Sequence, residues 1–287
     1  MKRYLGLTIL VLGAVGAQAQ VSNMTLSTTS PNWVYNHIFS NSIGNPGAIG
    51  RTTTSSTNGA GYFNPGTGLN VAKDALKRLW FYYNGDGGGR EYALSNQVAA
   101  TVGASSATMT YREWDGANNA NKFEWTLTYN LTATSVNSAT MTLDWKVKNV
   151  SAEDHSLNVF ILGDLGGSND SITYNNGRYV FNTNLPNSTK ITMDSYGLPI
   201  TSYEATKNDA TFNKLLGDSS LLTNLTNVAS ETGDVAGAYH FNIGTLRSND
   251  FRCGQIVVKY EAVPEPATMA ALGLGVLAVA ARRRRSN

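Results

Sequence analysis

Residues 123–131 read FEWTLTYNL, and residues 141–147 read MTLDWKV. In both stretches every second residue is apolar, and polar residues stand between them. Side chains of a β-strand alternate between the two faces, so each stretch predicts a strand with one buried and one solvated face. The gap over residues 134–138 is short enough for a turn, and the pair therefore predicts a β-hairpin.

Further strand-like runs lie on both sides of this hairpin, separated by turns rich in Gly and Asn. They cover residues 78–83, 108–114, 156–162, 171–174, 179–181, 190–193, 237–243 and 255–260. Strands at this spacing predict an all-β fold, an antiparallel β-sandwich with long loops rich in Gly, Ser, Thr and Asn. Residues 211–216 and 221–226 predict one short helical segment.

The composition supports a loop-rich exported protein. The 287 residues include 30 Asn, 30 Thr and 24 Ser, and only 15% are charged, against about 25% in an average soluble domain. This excludes a coiled coil or a long helical bundle. Residues 20–263 contain 16 basic and 19 acidic residues, a net charge of −3. Because this composition does not predict a basic surface, a nucleic-acid partner is not expected.

The N-terminus has the layout of a secretory signal peptide. Two basic residues open the chain, and an apolar run follows over residues 5–15. Ala17 and Ala19 then provide the small residues of a cleavage site before Gln20. This pattern predicts that residues 1–19 direct the chain to the Sec export machinery and are removed.

The C-terminus has three parts in a fixed order. Pro264, Glu265 and Pro266 come first, and an uncharged run over residues 267–281 follows. As a helix, this run would reach about 22 Å, whereas the hydrocarbon core of a bilayer is about 30 Å thick. A basic cluster closes the chain and is expected on the cytoplasmic side; it comprises Arg282, Arg283, Arg284 and Arg285.

This arrangement resembles the PEP-CTERM sorting tail of Gram-negative and related bacteria, over residues 264–287. The resemblance implies recognition and removal by exosortase, a membrane-embedded cysteine protease, with Pro264, Glu265 and Pro266 as the motif acted upon. It also implies a membrane-tethered intermediate, a final place at the cell surface or outside the cell, and a link to exopolysaccharide and biofilm. The chain thus divides into a signal peptide (1–19), a β-sandwich body (20–263) and the tail.

No motif in the body predicts catalysis. The three histidines share no metal-ligand spacing, and both the nucleophile elbow and the P-loop are absent. A glycosidase would need two carboxylates about 5–9.5 Å apart. Glu113, Asp115, Glu124 and Asp144 lie near tryptophans in the sequence. Alternation, however, places the last two on the solvated face, where they are expected to pair with Lys146 or Lys148.

Two other features have alternative interpretations. Asp164, Asn169 and Asp170 offer oxygen ligands of the kind that calcium prefers, although a plain loop explains the same residues. The sequence therefore predicts no metal or other cofactor, with calcium at this loop as the alternative. Cys253 is the single cysteine and cannot form an internal disulfide. It is expected to be a small buried residue rather than a reactive thiol.

Together these features predict a non-enzymatic protein of the cell surface or extracellular matrix, structural or adhesive, and linked to exopolysaccharide and biofilm. The alternative is a carbohydrate-binding or glycan-cleaving β-sandwich module. In that case exposed aromatic side chains would stack on sugar rings, and the candidates are Trp80, Tyr82 and Tyr83, for which a position in the core is the other interpretation.

Overall fold

The structure is a computed structural model. It describes residues 23–28, 33–38, 58–63, 78–88, 91–94, 96–113, 122–135, 138–164, 170–182, 189–207, 215 and 225–262. The predicted signal peptide and sorting tail, with its apolar helix, lie outside these residues. In the described part of the chain, no helix is long and apolar enough to cross a membrane.

The described residues form two large antiparallel sheets that pack as a β-sandwich, which confirms the predicted fold class. A nine-stranded sheet has the order β15-β11-β12-β13-β17-β9-β8-β7-β6. A five-stranded sheet has the order β14-β16-β10-β4-β5, and a small third sheet has the order β1-β2-β3.

The strands of the nine-stranded sheet are β6 (Gln97–Val102), β7 (Ser106–Glu113), β8 (Phe123–Ser135), β9 (Ser138–Asn149), β11 (Asp170–Asn175), β12 (Arg178–Asn182), β13 (Thr189–Tyr196), β15 (Ser230–Gly233) and β17 (Phe251–Ala262). Those of the five-stranded sheet are β4 (Arg78–Gly85), β5 (Tyr92–Ala93), β10 (His155–Asp164), β14 (Ser202–Lys207) and β16 (Val235–Leu246). The third sheet comprises β1 (Asn23–Ser27), β2 (Trp33–Ile38) and β3 (Asn58–Phe63).

The predicted hairpin is β8 and β9, at the centre of the larger sheet. The two strands pair from Phe123 opposite Asn149 to Ser135 opposite Ser138. Their alternating apolar side chains are all buried, as expected. Of the helical segment predicted over residues 211–226, Leu215 is helical, whereas Leu225 and Thr226 are not; the other residues lie outside the described part.

Aromatic side chains fill the space between the two sheets. Phe81 of the smaller sheet lies 6.2 Å from Trp125 and 6.1 Å from Trp145 of the larger one, between ring centroids. Two buried tyrosines also link the sheets by hydrogen bonds to backbone carbonyls. Tyr179 Oη lies 2.7 Å from the oxygen of Ala238, and Tyr239 Oη lies 2.6 Å from that of Met193. These contacts join the inner face of the larger sheet to the smaller sheet.

Candidate functional site

The solvated face of the nine-stranded sheet carries a groove of about 520 Å³ where β8, β9, β17 and the end of β13 meet. This lies within the roughly 300–1,000 Å³ typical of ligand pockets. Two rows of side chains, in register across neighbouring strands, form its floor. The first row is Thr128, Asp144, Gln255 and Tyr196, and the second is Thr126, Lys146 and Cys253. Alternate residues of these strands are buried in the core, so the floor faces solvent.

Gly254 lines the groove beside Tyr196. It lies opposite Trp145, and a Cβ at this position would be 2.7 Å from the indole Cζ2. The indole therefore lies across β17 where the strand has no side chain. Gly197 follows Tyr196 with φ +95°, and a Cβ there would be 3.1 Å from the Cα of Gly254. This close approach of the two backbones ends β13 and leaves Tyr196 at the groove wall.

The groove combines an aromatic surface with polar groups. Tyr196 is 50% exposed, and Phe251, one row beyond Cys253, is 52% exposed. The Lys146 Nζ lies 4.6 Å from the centroid of the Phe251 ring, a cation–π contact. Gln255 Nε2 donates to Asp144 Oδ1 at 2.7 Å. The aromatic rings can pack against the apolar face of a ligand ring, and the polar side chains can form hydrogen bonds to its hydroxyl groups.

Two acidic residues lie on the solvated face as predicted, but their partners differ. Glu124 pairs with Arg112 at 3.0 Å, and Asp144 accepts from Gln255. Glu124 has Arg112 and Lys148 opposite it on either side, and the guanidinium makes the ion pair. Glu113 lies elsewhere, buried, where its Oε1 accepts from the amide of Asn96 at 2.8 Å. Trp114 and Asp115 lie outside the described residues.

The core interpretation of Trp80, Tyr82 and Tyr83 is confirmed, and the expectation of a buried cysteine was wrong. Trp80, Tyr82 and Tyr83 are buried, since the smaller sheet is covered on both faces at these positions. Cys253 is exposed. Strand alternation in the sequence already indicates that Cys253 faces away from the core. Ile256 faces the core and Cys253 is three residues away, so strand alternation places the two on opposite faces.

Asp164 and Asp170 are both buried, at the end of β10 and the start of β11. Asn169, the third residue of the candidate calcium site, lies outside the described residues. Among the residues that are described, no three His, Cys, Asp or Glu side chains come together to hold a metal. Calcium binding at this loop stays the alternative to a plain loop.

The two histidines whose side chains are described are buried and hydrogen bonded. His155 Nδ1 lies 2.7 Å from Asp86 Oδ2. His240 stacks on Phe160 at 4.5 Å between ring centroids. Its Nδ1 lies 3.0 Å from Ser202 Oγ and its Nε2 lies 2.9 Å from Asn158 Oδ1. The His240 ring thus links β14, β16 and β10.

Stability should depend on pH through His240 and Glu91. Burial lowers the pKa of His240 to about 4, so protonation favours the unfolded chain and stability is lost as the pH falls from about 6.5 to 4. Burial raises the pKa of Glu91 to about 7, so stability is lost as the pH rises from about 4.5 to 7. Between about pH 4.5 and pH 6.5, the stability gained from His240 as the pH rises largely cancels the stability lost from Glu91.

Glu91→Gln should therefore stabilise the protein by about 2–3 kcal/mol at pH 8, because the neutral amide avoids the cost of a buried carboxylate. At pH 4 the variant and the wild type should have equal stability. Urea denaturation at unit steps from pH 4 to 8 measures the difference. A difference that stays constant with pH would show that Glu91 does not titrate in this way.

Beyond the body of the chain, residues 262–285 match the model of the PEP-CTERM protein-sorting motif. The C-terminus is a PEP-CTERM sorting motif. Pro264, Glu265 and Pro266 fall inside the matched residues, as does the arginine cluster. The PEP-CTERM motif implies an exported protein that passes through the membrane and is processed by exosortase.

No curated protein matches the sequence. Solved structures that match this chain include the Slr1438 protein from Synechocystis sp. PCC 6803, with 8% identity, a TM-score of 0.44, and coverage of 86% of this chain and 98% of that one. A putative kojibiose phosphorylase from human microbiome has 8% identity, a TM-score of 0.43, and coverage of 90% and 33%. A putative aldose 1-epimerase from Escherichia coli K12 has 9% identity, a TM-score of 0.40, and coverage of 84% and 99%.

Proposed function

We propose that this exported protein is a non-enzymatic component of the cell surface or extracellular matrix, and that it binds polysaccharide through the groove on the nine-stranded sheet. The observation that carries the proposal is the composition of the groove. An exposed tyrosine stands beside hydroxyl, amide, carboxylate and ammonium groups, on a floor of paired strands. Aromatic rings pack against the C–H faces of sugars, and the polar groups suit their hydroxyls.

Binding is favoured over cleavage by the number of carboxylates. Of the described residues that line the groove, Asp144 alone is acidic, whereas most glycoside hydrolases need two carboxylic residues across the scissile bond. Asp144 also accepts a hydrogen bond from Gln255 and lies on the open sheet face. The role of the body is therefore adhesive or structural in this proposal, and calcium has no part in it.

Cys253 offers a direct test, because its exposed thiol lies in the floor of the groove. A maleimide should label the protein at this residue, and polysaccharide isolated from the native host should slow the labelling. Tyr196→Ala should weaken binding of that polysaccharide about tenfold, as the loss of a central aromatic contact does in other interfaces. Val228→Ala is the matched control, since Val228 is also exposed but does not line the groove.

Protection of Cys253 together with loss of binding in Tyr196→Ala would support the groove as the binding site. If the polysaccharide neither binds nor protects the thiol, the proposal is wrong. Binding that leaves the thiol fully reactive and is insensitive to Tyr196→Ala would place the contact elsewhere on the protein, and would equally contradict the groove. Turnover of a glycan by the purified protein would contradict the non-enzymatic role.

A further inference from the structure

The solvated face of the nine-stranded sheet differs in charge from the rest of the body. Six basic side chains lie on it, namely Arg112, Lys146, Lys148, Arg178, Lys190 and Lys259, against four acidic ones, Glu124, Asp144, Asp194 and Glu261. This is a net charge of +2. Residues 20–263 contain 16 basic and 19 acidic residues, so ten basic and fifteen acidic residues remain, a net charge of −5. The face that carries the groove therefore has a net positive charge, whereas the rest of the body has a net negative charge.

The arginines of this face are already paired. Arg112 pairs with Glu124 at 3.0 Å, and Arg178 pairs with Asp194 at 2.6 Å. The four lysines form no ion pair with the residues that the structure describes. Lys146 instead lies over the ring of Phe251. The ammonium groups are thus available to an anionic ligand, while the guanidinium groups are held in the sheet.

The lysines follow the direction of two neighbouring strands, β9 and β17. Lys148 and Lys146 lie at one end of the groove, and Lys259, opposite Thr140 on β9, lies beyond the other end. At about 3.4 Å per residue, the six positions from Thr140 to Lys146 correspond to roughly 20 Å. Lys190, opposite Glu261, extends the row by one further step. The groove with Tyr196 lies between these two groups of positive charge.

We propose that this face binds a linear anionic polysaccharide, with uronate or sulfate groups, which runs along β9 and β17. Lys146 and Lys259 pair with its anionic groups on either side of the groove, and Tyr196 packs on a sugar ring between them. This inference rests on the proposed function and adds the class of polysaccharide. Ammonium–carboxylate and ammonium–sulfate pairs form charge-assisted hydrogen bonds, and salt screens them at this exposed surface.

The test compares three polymers on the full exported protein: polygalacturonate, neutral dextran, and double-stranded DNA as a polyanion without uronate. Polygalacturonate should bind about tenfold more tightly than dextran at 20 mM salt, and the preference should shrink at 500 mM salt. Lys146→Gln and Lys259→Gln should each weaken polygalacturonate binding about threefold, the scale of an exposed ion pair. Lys207→Gln is the matched control, because Lys207 is an exposed lysine of the smaller sheet.

The outcomes separate the two proposals. Equal binding of polygalacturonate and dextran, with no effect of the lysine variants, would overturn the anionic class and leave polysaccharide binding intact. Failure of both polymers and of the host polysaccharide to bind or to protect Cys253 would overturn both proposals. DNA that binds as tightly as polygalacturonate and depends on the same lysines would show a general polyanion surface, and would overturn the assignment to a saccharide.

Discussion

Gly254→Ala should destabilise the protein by about 3 kcal/mol, at the upper end for an overpacked core. The added methyl carbon would be 2.7 Å from Cζ2 of Trp145 and 2.8 Å from its Cε2. The indole cannot move aside easily, because it is 2% exposed and contacts the rings of Phe81, Trp125 and Phe241. Thermal or urea denaturation of the purified variant measures the loss.

A second substitution at the partner residue checks the cause. In a Trp145→Leu background, where the indole is absent, Gly254→Ala should cost at least 1 kcal/mol less than it does alone, since contacting residues couple by about 0.5–3 kcal/mol. Cys253→Ala, at the neighbouring exposed position, should change stability by less than about 0.5 kcal/mol. Equal costs of Gly254→Ala in both backgrounds would contradict the steric explanation.

Replacing Pro264, Glu265 and Pro266 by alanines should abolish release of the body in the native host. These residues belong to the matched sorting motif, and exosortase acts on that motif. The wild-type product should begin at Gln20 and end near residues 264–266, without the arginine cluster. The variant should keep Arg282–Arg285 and stay in the membrane fraction. Intact mass and the C-terminal peptide, measured separately for cells and medium, give the result.

A matched variant separates recognition from general loss of export. Replacing Thr268 and Met269 by alanines leaves the apolar run and the arginines in place, and should allow processing as in the wild type. If the wild-type protein itself keeps its tail in the membrane fraction, the tail acts as an anchor, and the proposed place in the extracellular matrix loses its main support. In that case the groove would still be testable on the anchored protein.

Strand alternation was a reliable guide to the central hairpin and to its faces. It predicted the buried face of β8 and β9 correctly, because the period of two is a property of each strand alone. It missed β14 (Ser202–Lys207), which contains Glu204 at a buried position. Thr226 compensates for this burial, donating to the Glu204 carboxylate from its amide and its hydroxyl, each at 2.8 Å. That partner is 22 residues away, so no local pattern could reveal it.

The sequence by itself determined the all-β class, the alternating faces of the main strands and the sorting motif at the C-terminus. These are local properties, because each depends on the spacing of apolar residues along a strand or on a short continuous motif. Only the tertiary structure brought Tyr196 beside Gln255, which is about 60 residues away along the chain, and Gln255 beside Asp144, which is 111 residues away. The groove exists because of the order and register of β13, β17, β9 and β8. Those depend on packing between distant strands, which no single stretch of sequence encodes.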